Sequence, residues 1–251
     1  MAEGRLKVGS NYLKIGALYL RIGAAPTLTQ EGSCWTWTTG SKKWATIALE
    51  LDYNGTSFAS IFNTSGSDNA GPASSLVVPA GGNSYSLFSL VTYASGSVPN
   101  LPTATETVGG LPVPLIESVL FDSDTRRLSL FALNIGNDID SASVTFDWDG
   151  QSQAKLTWSH DVPMLTDALV ASPVVQSASA TGEDTGATMN ISNLTDAVNN
   201  LIYNVISVAG IDRNADIAGA IPCATLTQLN EYGGFPPAST THVASSYRIG
   251  A

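Results

Sequence analysis

From Trp35 onward the chain is written in short segments. Apolar and polar residues alternate with period two, or apolar residues gather in brief runs, and Gly, Pro, Asn, Asp and Ser punctuate the text between them. In "WATIALELDY" the residues Ala45, Ile47, Leu49 and Leu51 share one side, while Trp44, Thr46, Ala48 and Glu50 share the other. "CWTWTTG" sets Trp35 and Trp37 against Cys34, Thr36 and Thr38 in the same way. "SFASIFN", "SSLVVPA", "SYSLFSLVTY", "LIESVLFD", "RRLSLFALNI", "SASVTFDWDG", "QAKLTWSH", "ATMNIS", "ATLTQLNEY" and "STTHVASSYRIG" read as further strands. The one helical rival is "NLTDAVNNLIYNV", where Leu194, Val198, Leu201 and Ile202 have helical spacing; its continuation "LIYNVISV" is strand-like, and strand is the reading taken. Dense short strands joined by turns predict an all-β, jelly-roll-like antiparallel β-sandwich.

The N-terminus follows another rule. "LKVGSNY", "LKIGALY" and "LRIGAAP" are three successive heptads. A period of seven suggests a coiled coil, but here the second seam position would be Gly9, Gly16 and Gly23. Glycine packs nothing there and costs about 1 kcal/mol at each helical position. Read as strands, "YLKIG" and "YLRIG" alternate cleanly, with Leu13 and Ile15 on one side and Tyr12 and Lys14 on the other. Residues 1–23 are therefore expected to be a docking arm of three near-identical β units that need neighbours from this chain or another. Leu6, Lys7, Tyr12, Leu13, Lys14, Ile15, Tyr19, Leu20, Arg21 and Ile22 are its assembly residues. The closing "YRIGA" echoes "YLRIGA" of the arm, which suggests a shared edge-strand role. Residues 24–251 form a single sandwich domain, with strands in 30–52 completing its sheet.

Charge sharpens this division. The chain of 251 residues carries a formal net charge of −10. Residues 1–43 hold six of the eleven Lys and Arg and two acids, a balance of +4, and the remainder holds five bases and nineteen acids, a balance of −14. An acidic body repels phosphate backbones, so nucleic acid is not an expected partner. A basic arm instead suits an acidic protein surface, its own or a partner's. No run approaches the length of a membrane-spanning helix, and the opening residues lack the apolar core of a signal peptide, so no membrane role is expected.

The search for chemistry yields little. Cys34 and Cys223 have no metal or redox spacing and read as buried free thiols; a staple needs the two ends of the chain to meet. His160 and His242 read as structural, and His160 and Asp161, being adjacent on a strand, point to opposite faces and make no dyad. Asp122/Asp124, Asp138/Asp140 and Asp147/Asp149 are spaced to share a strand face, which could hold Ca²⁺ or do glycosidase chemistry, but turn-flanking aspartates are the plainer reading, as for Glu183/Asp184. Trp35, Trp37, Trp44, Trp148 and Trp158 read as core. Tyr93, Tyr232 and Phe235 are open candidates for a sugar-stacking surface. No cofactor, metal or catalytic residue is expected.

"SLFSLVTY", "VGGLPVPLIES", "TRRLSLFALN", "SVTFDWDG" and "NLIYNVISVAG" together resemble a β-sandwich module of bacteriophage or gene-transfer-agent spike and fibre proteins, also met on bacterial surfaces. In such modules a "YRI" segment is followed by a Trp-bearing strand and then "WAxIALEL". Here those later pieces stand near the beginning, as in a circular permutation or a strand set offered to a neighbour. The resemblance implies a non-enzymatic structural subunit of a phage-like particle: a head spike, fibre base or tail fibre. It implies anchoring to other virion proteins through the arm, homo-oligomers, and contact with host surface polysaccharide. The alternatives are a bacterial surface carbohydrate-binding or adhesion module and a carboxylate-pair glycan hydrolase.

Overall fold

The structure, a computed structural model, describes residues 6–7, 12–15, 18–21, 30–37, 40–51, 61–68, 71, 73–79, 84–106, 112–135, 141–163, 174–191, 200–210, 221–222, 226–233 and 241–249. Among these residues every regular element is a strand. The first seven are β1 (Leu6–Lys7), β2 (Tyr12–Ile15), β3 (Leu18–Arg21), β4 (Gln30–Thr36), β5 (Lys42–Leu51), β6 (Ile61–Asp68) and β7 (Ala73–Pro79). Next come β8 (Ser84–Tyr93), β9 (Thr103–Glu106), β10 (Leu115–Phe121), β11 (Arg126–Ile135), β12 (Ser141–Asp147) and β13 (Lys155–Pro163). The last are β14 (Val174–Asp184), β15 (Gly186–Ile191), β16 (Leu201–Val208), β17 (Ile221–Pro222), β18 (Thr227–Gly233) and β19 (His242–Ile249).

The expected all-β sandwich is what these strands build. Two five-stranded antiparallel sheets, ordered β10-β11-β8-β13-β6 and β14-β5-β16-β19-β18, lie face to face. The alternation read in "WATIALELDY" positions the core between them. Ala45, Ile47, Leu49 and Leu51 of β5 join Leu201, Tyr203 and Val205 of β16, and they meet Leu87 and Val91 of β8 and Leu128 and Leu130 of β11.

The opposite faces are covered as well. On one side a three-stranded sheet, β7-β12-β9, places Val144 and Phe146 against Phe88, Leu90, Phe131 and Leu156. Phe146 meets both Phe88 and Phe131 edge-on, at centroid distances of 6.1 and 5.4 Å. On the other side β15-β4-β17 places Trp35 and Ala187 against Trp44, Ile206 and Val208. The body is thus four β layers rather than two. This explains "LIYNVISV", in which all eight residues of β16 are buried: a strand with both faces covered reads as a continuous apolar run. Each large side chain buried in these layers contributes about 1.5–3 kcal/mol.

Polar residues on doubly covered strands need partners. Thr46 donates to the carbonyl of Val205 at 2.8 Å. Asn204, on the outer face of β16, accepts from the Trp35 indole at 2.8 Å and from the Ser246 hydroxyl at 2.9 Å. Glu50 accepts from the side chains of Asn200 and Gln176.

One expectation is corrected by this topology: the C-terminal strand β19 lies between β16 and β18 and is not an edge. The N-terminal strand β5 is also interior, between β14 and β16, so within the described residues it takes its place in the sheet of its own chain, the arrangement of a permuted sandwich rather than of a strand offered to a neighbour.

Candidate functional site

The arm is a sheet of its own, ordered β1-β2-β3. Its register pairs Leu6 with Leu13 and Leu13 with Leu20. A pairing offset of seven residues equals the sequence repeat, so equivalent leucines fall in one cross-strand row. Lys7 pairs with Tyr12 and Tyr12 with Arg21, forming a second row; Lys14 pairs with Tyr19 and Ile15 with Leu18. By alternation, Leu13, Ile15, Leu18 and Leu20 sit at register positions of one face, and the basic and tyrosine positions alternate with them. The three heptads are therefore three strands, as the sequence indicates, and they take their backbone partners from one another. Ile22 lies outside the described residues.

The carboxylate pairs resolve as turns. Asp122, Ser123 and Asp124 connect β10 to β11 with φ of 53°, 56° and 62°, a left-handed run that Asp and Ser tolerate better than branched residues do. Burial alone would raise the Asp122 pKa, but hydrogen bonds and charge from Arg126 (2.9 Å) and Lys43 (3.3 Å) outweigh it and hold it below the ordinary value. Arg126 is fixed in turn over the Tyr93 ring, 4.8 Å from its centroid, so Tyr93 already serves as a platform for Arg126. Asp147 ends β12, and its carboxylate accepts from the backbone N–H of Asp149 at 2.8 Å, an Asx turn; Trp148 between them is fully buried. Asp138 and Asp140 lie outside the described residues, as does Phe235. Trp35, Trp37, Trp44 and Trp148 are core residues and Trp158 packs against the core, as expected.

His160 and Asp161 do face opposite ways. His160 stacks on Phe88 at 4.6 Å and its Nε2 meets the Ser86 hydroxyl at 3.1 Å, toward the β7-β12-β9 layer. Burial pushes its pKa down to about 4. Asp161 points between the two central sheets, into a polar seam that the sequence reading missed. Its Oδ2 accepts from the Tyr203 hydroxyl at 2.8 Å and from the Ser159 hydroxyl at 3.0 Å, and the Ser89 and Tyr203 hydroxyls are 3.0 Å apart. Burial pushes the Asp161 pKa up to about 6, against the pull of the Ser245, Tyr203 and Ser159 hydroxyls. Period-two spacing of Thr157, Ser159 and Asp161 on β13 was the available signal. His242 is buried and pairs with Glu231 at 2.9 Å.

The cysteine expectation is overturned. Cys34 is not a free thiol but is disulfide-bonded. The chain has one other cysteine, Cys223, which follows Pro222, and Pro222 pairs with Trp35 in the β17–β4 ladder. Backbone pairing of β4 with β17 is what brings the two distant ends of the body together.

Among the described residues no group of three or more His, Cys, Asp or Glu is placed to hold a metal ion, and no helix is long and apolar enough to cross a membrane. No protein-family model matches the chain, and no curated protein matches it either.

Proposed function

We propose that the protein is a non-enzymatic structural subunit of a phage-like particle, a spike or fibre component, anchored to other virion proteins through its N-terminal arm and touching host surface polysaccharide. One observation carries this reading: the basic segments Leu6–Lys7, Tyr12–Ile15 and Leu18–Arg21 pair with one another in a sheet of their own, and none of the described sheets of the acidic body includes them. A sheet of three short strands has little core of its own and gains stability by covering one face. The placement of the chemistry supports a structural role, because both histidines are buried and the described aspartate pairs sit in turns. A disulfide at Cys34 suits a particle that is assembled in a host cytoplasm and then lives outside it.

The test compares the full chain with a variant lacking residues 1–23. The truncated chain is expected to keep the thermal melt of the body while losing its oligomeric state in light scattering and its incorporation into particles. A full chain that is monomeric, with incorporation indifferent to the truncation, would falsify the anchoring role. The disulfide also favours a second reading, a bacterial surface adhesion module, and that same result would point to it.

A further inference from the structure

β14, eleven residues from Val174 to Asp184, is the longest strand among the described residues. It stands at the end of its sheet and, among those residues, pairs with β5 alone. End strands are normally short, or they carry Lys, Pro or bulges that turn a further strand away. β14 holds no Lys, Arg or Pro, and residues 174–182 carry no charge. Its one bulge falls at the start, between Val174 and Gln176, and from Gln176 to Asp184 the register with β5 is unbroken. Such an edge is a template for another strand.

The facing sheet ends on the same side. Its end strand is β10, which runs alongside β14. The Ser177 hydroxyl donates to the Glu117 carboxylate at 3.2 Å, and further along both strands Thr181, Gly182 and Glu183 line one hollow with Leu120, Phe121 and Asp122. The two strands therefore run in the same direction, and Leu115 and Val175 each lie two residues before that hydrogen bond. Both are exposed, at 39% and 38%, two of the four large apolar side chains so placed among the described residues. Ile116, Val119 and Val174 beside them are only partly buried. Two sheet edges and an apolar margin thus share one side of the body.

Length and charge choose the occupant. The arm of another copy has strands of two to four residues, which leave most of this edge uncovered. A second β14 matches its whole length. We propose that β14 pairs antiparallel with β14 of a second copy about a dyad at Ser179, so that its five-stranded sheet continues into the next copy. In that register Ser177 opposes Thr181 and Val175 opposes Glu183. Glu183 and Asp184 already sit opposite Lys43 and Lys42 in their own chain. The acidic ends of the two copies fall roughly 30 Å apart, well beyond a screening length of about 8 Å. With β10 alongside, the two copies cover on the order of 1,000 Å², the size at which specific interfaces begin. An area at that threshold does not hold two dilute acidic bodies together alone. The arm gathers the copies and this edge sets how they sit, so the contact rests on the oligomer of the proposed function.

The experiment introduces Ser179→Cys, at an exposed position, into the full chain. The variant is oxidised and run on a non-reducing gel, with light scattering on the same sample. A covalent dimer is expected, because the dyad sets the two cysteines directly opposite, within disulfide reach. The parent, whose Cys34 is already disulfide-bonded, is expected to give none. Ser177→Cys and Thr181→Cys are each expected to stay uncoupled, since like positions fall four residues apart, and an equal mixture of the two is expected to couple. Amide exchange over residues 176–181 is expected to be slower in the oligomer than in the chain lacking residues 1–23. An oligomeric full chain that gives no dimer at 179 overturns the β14 contact and leaves the arm's role standing; slowed exchange in that oligomer then assigns the edge to another strand, the arm first. A monomeric full chain without the cross-link overturns both. A cross-link at 179 in chains whose particle incorporation ignores loss of residues 1–23 supports the edge and overturns the anchoring alone.

Discussion

At the residue scale, two neighbours on β13 carry opposite pH dependences. Asp161 has its pKa raised from 3.8 to about 6 by burial. Between those values the native state keeps a proton that the unfolded chain releases, so this group's contribution to stability is lost as pH rises through the window. His160 has its pKa lowered from 6.5 to about 4, again by burial. The unfolded chain gains that proton first as pH falls, so stability is lost on acidification from 6.5 towards 4. Each shift is worth roughly 3 kcal/mol, and over most of the range the two nearly cancel. Asp161→Asn keeps an acceptor for Tyr203 and Ser159 and has an amide that can face Ser245. It is expected to be more stable than the parent above pH 6, with the difference between their stability profiles widening by up to about 3 kcal/mol between pH 4 and 6. Urea unfolding across that range measures it, and parallel profiles would show that Asp161 does not titrate as its burial requires.

At the element scale, β4 and β17 depend on a bond that spacing in the chain could not reveal. Thiol titration of the denatured chain is expected to find no free thiol without reductant and both after reduction. Cys34→Ser is expected to lower stability by about 2–5 kcal/mol, because the bond closes a long loop in the unfolded chain. The reading of Cys34 as a free thiol failed because sequence distance carries no information about ladder pairing. Elsewhere, legibility followed locality. The period-two faces of β5 and the run of β16 were visible as strands, and "DWD" was visible as a turn with Trp148 inward. The outer sheets were not visible: an apolar run says that both faces are covered without saying by what. The likeness of "YRIG" to the arm suggested an edge, yet β18 covers β19, since local pattern does not fix sheet order.

At the scale of the whole molecule, the four-layered acidic body and the basic arm are segregated in charge, +3 over residues 1–23 against −13 over residues 24–251. Two forces can seat such an arm on another copy or on another virion protein. One is attraction between its Lys and Arg positions and an acidic surface; the other is cover for the leucine row that the register lines up. They respond oppositely to salt. Raising ionic strength from about 0.1 M to 1 M shortens the screening length from roughly 10 Å to 3 Å and weakens exposed charge pairs, while apolar burial is left intact or strengthened by strongly excluded salts. Because Lys7, Lys14 and Arg21 recur once per strand and the body's excess acid is large, we expect arm-dependent association in light scattering to fall steeply with sodium chloride. Doubling the neutralisation by changing Lys7 and Lys14 to Gln should flatten that dependence, whereas changing Leu13 and Leu20 to Ser should lower association at every salt concentration without altering its slope. If the slope survives loss of the lysines, charge is not what seats the arm, and the leucine row becomes its principal contact.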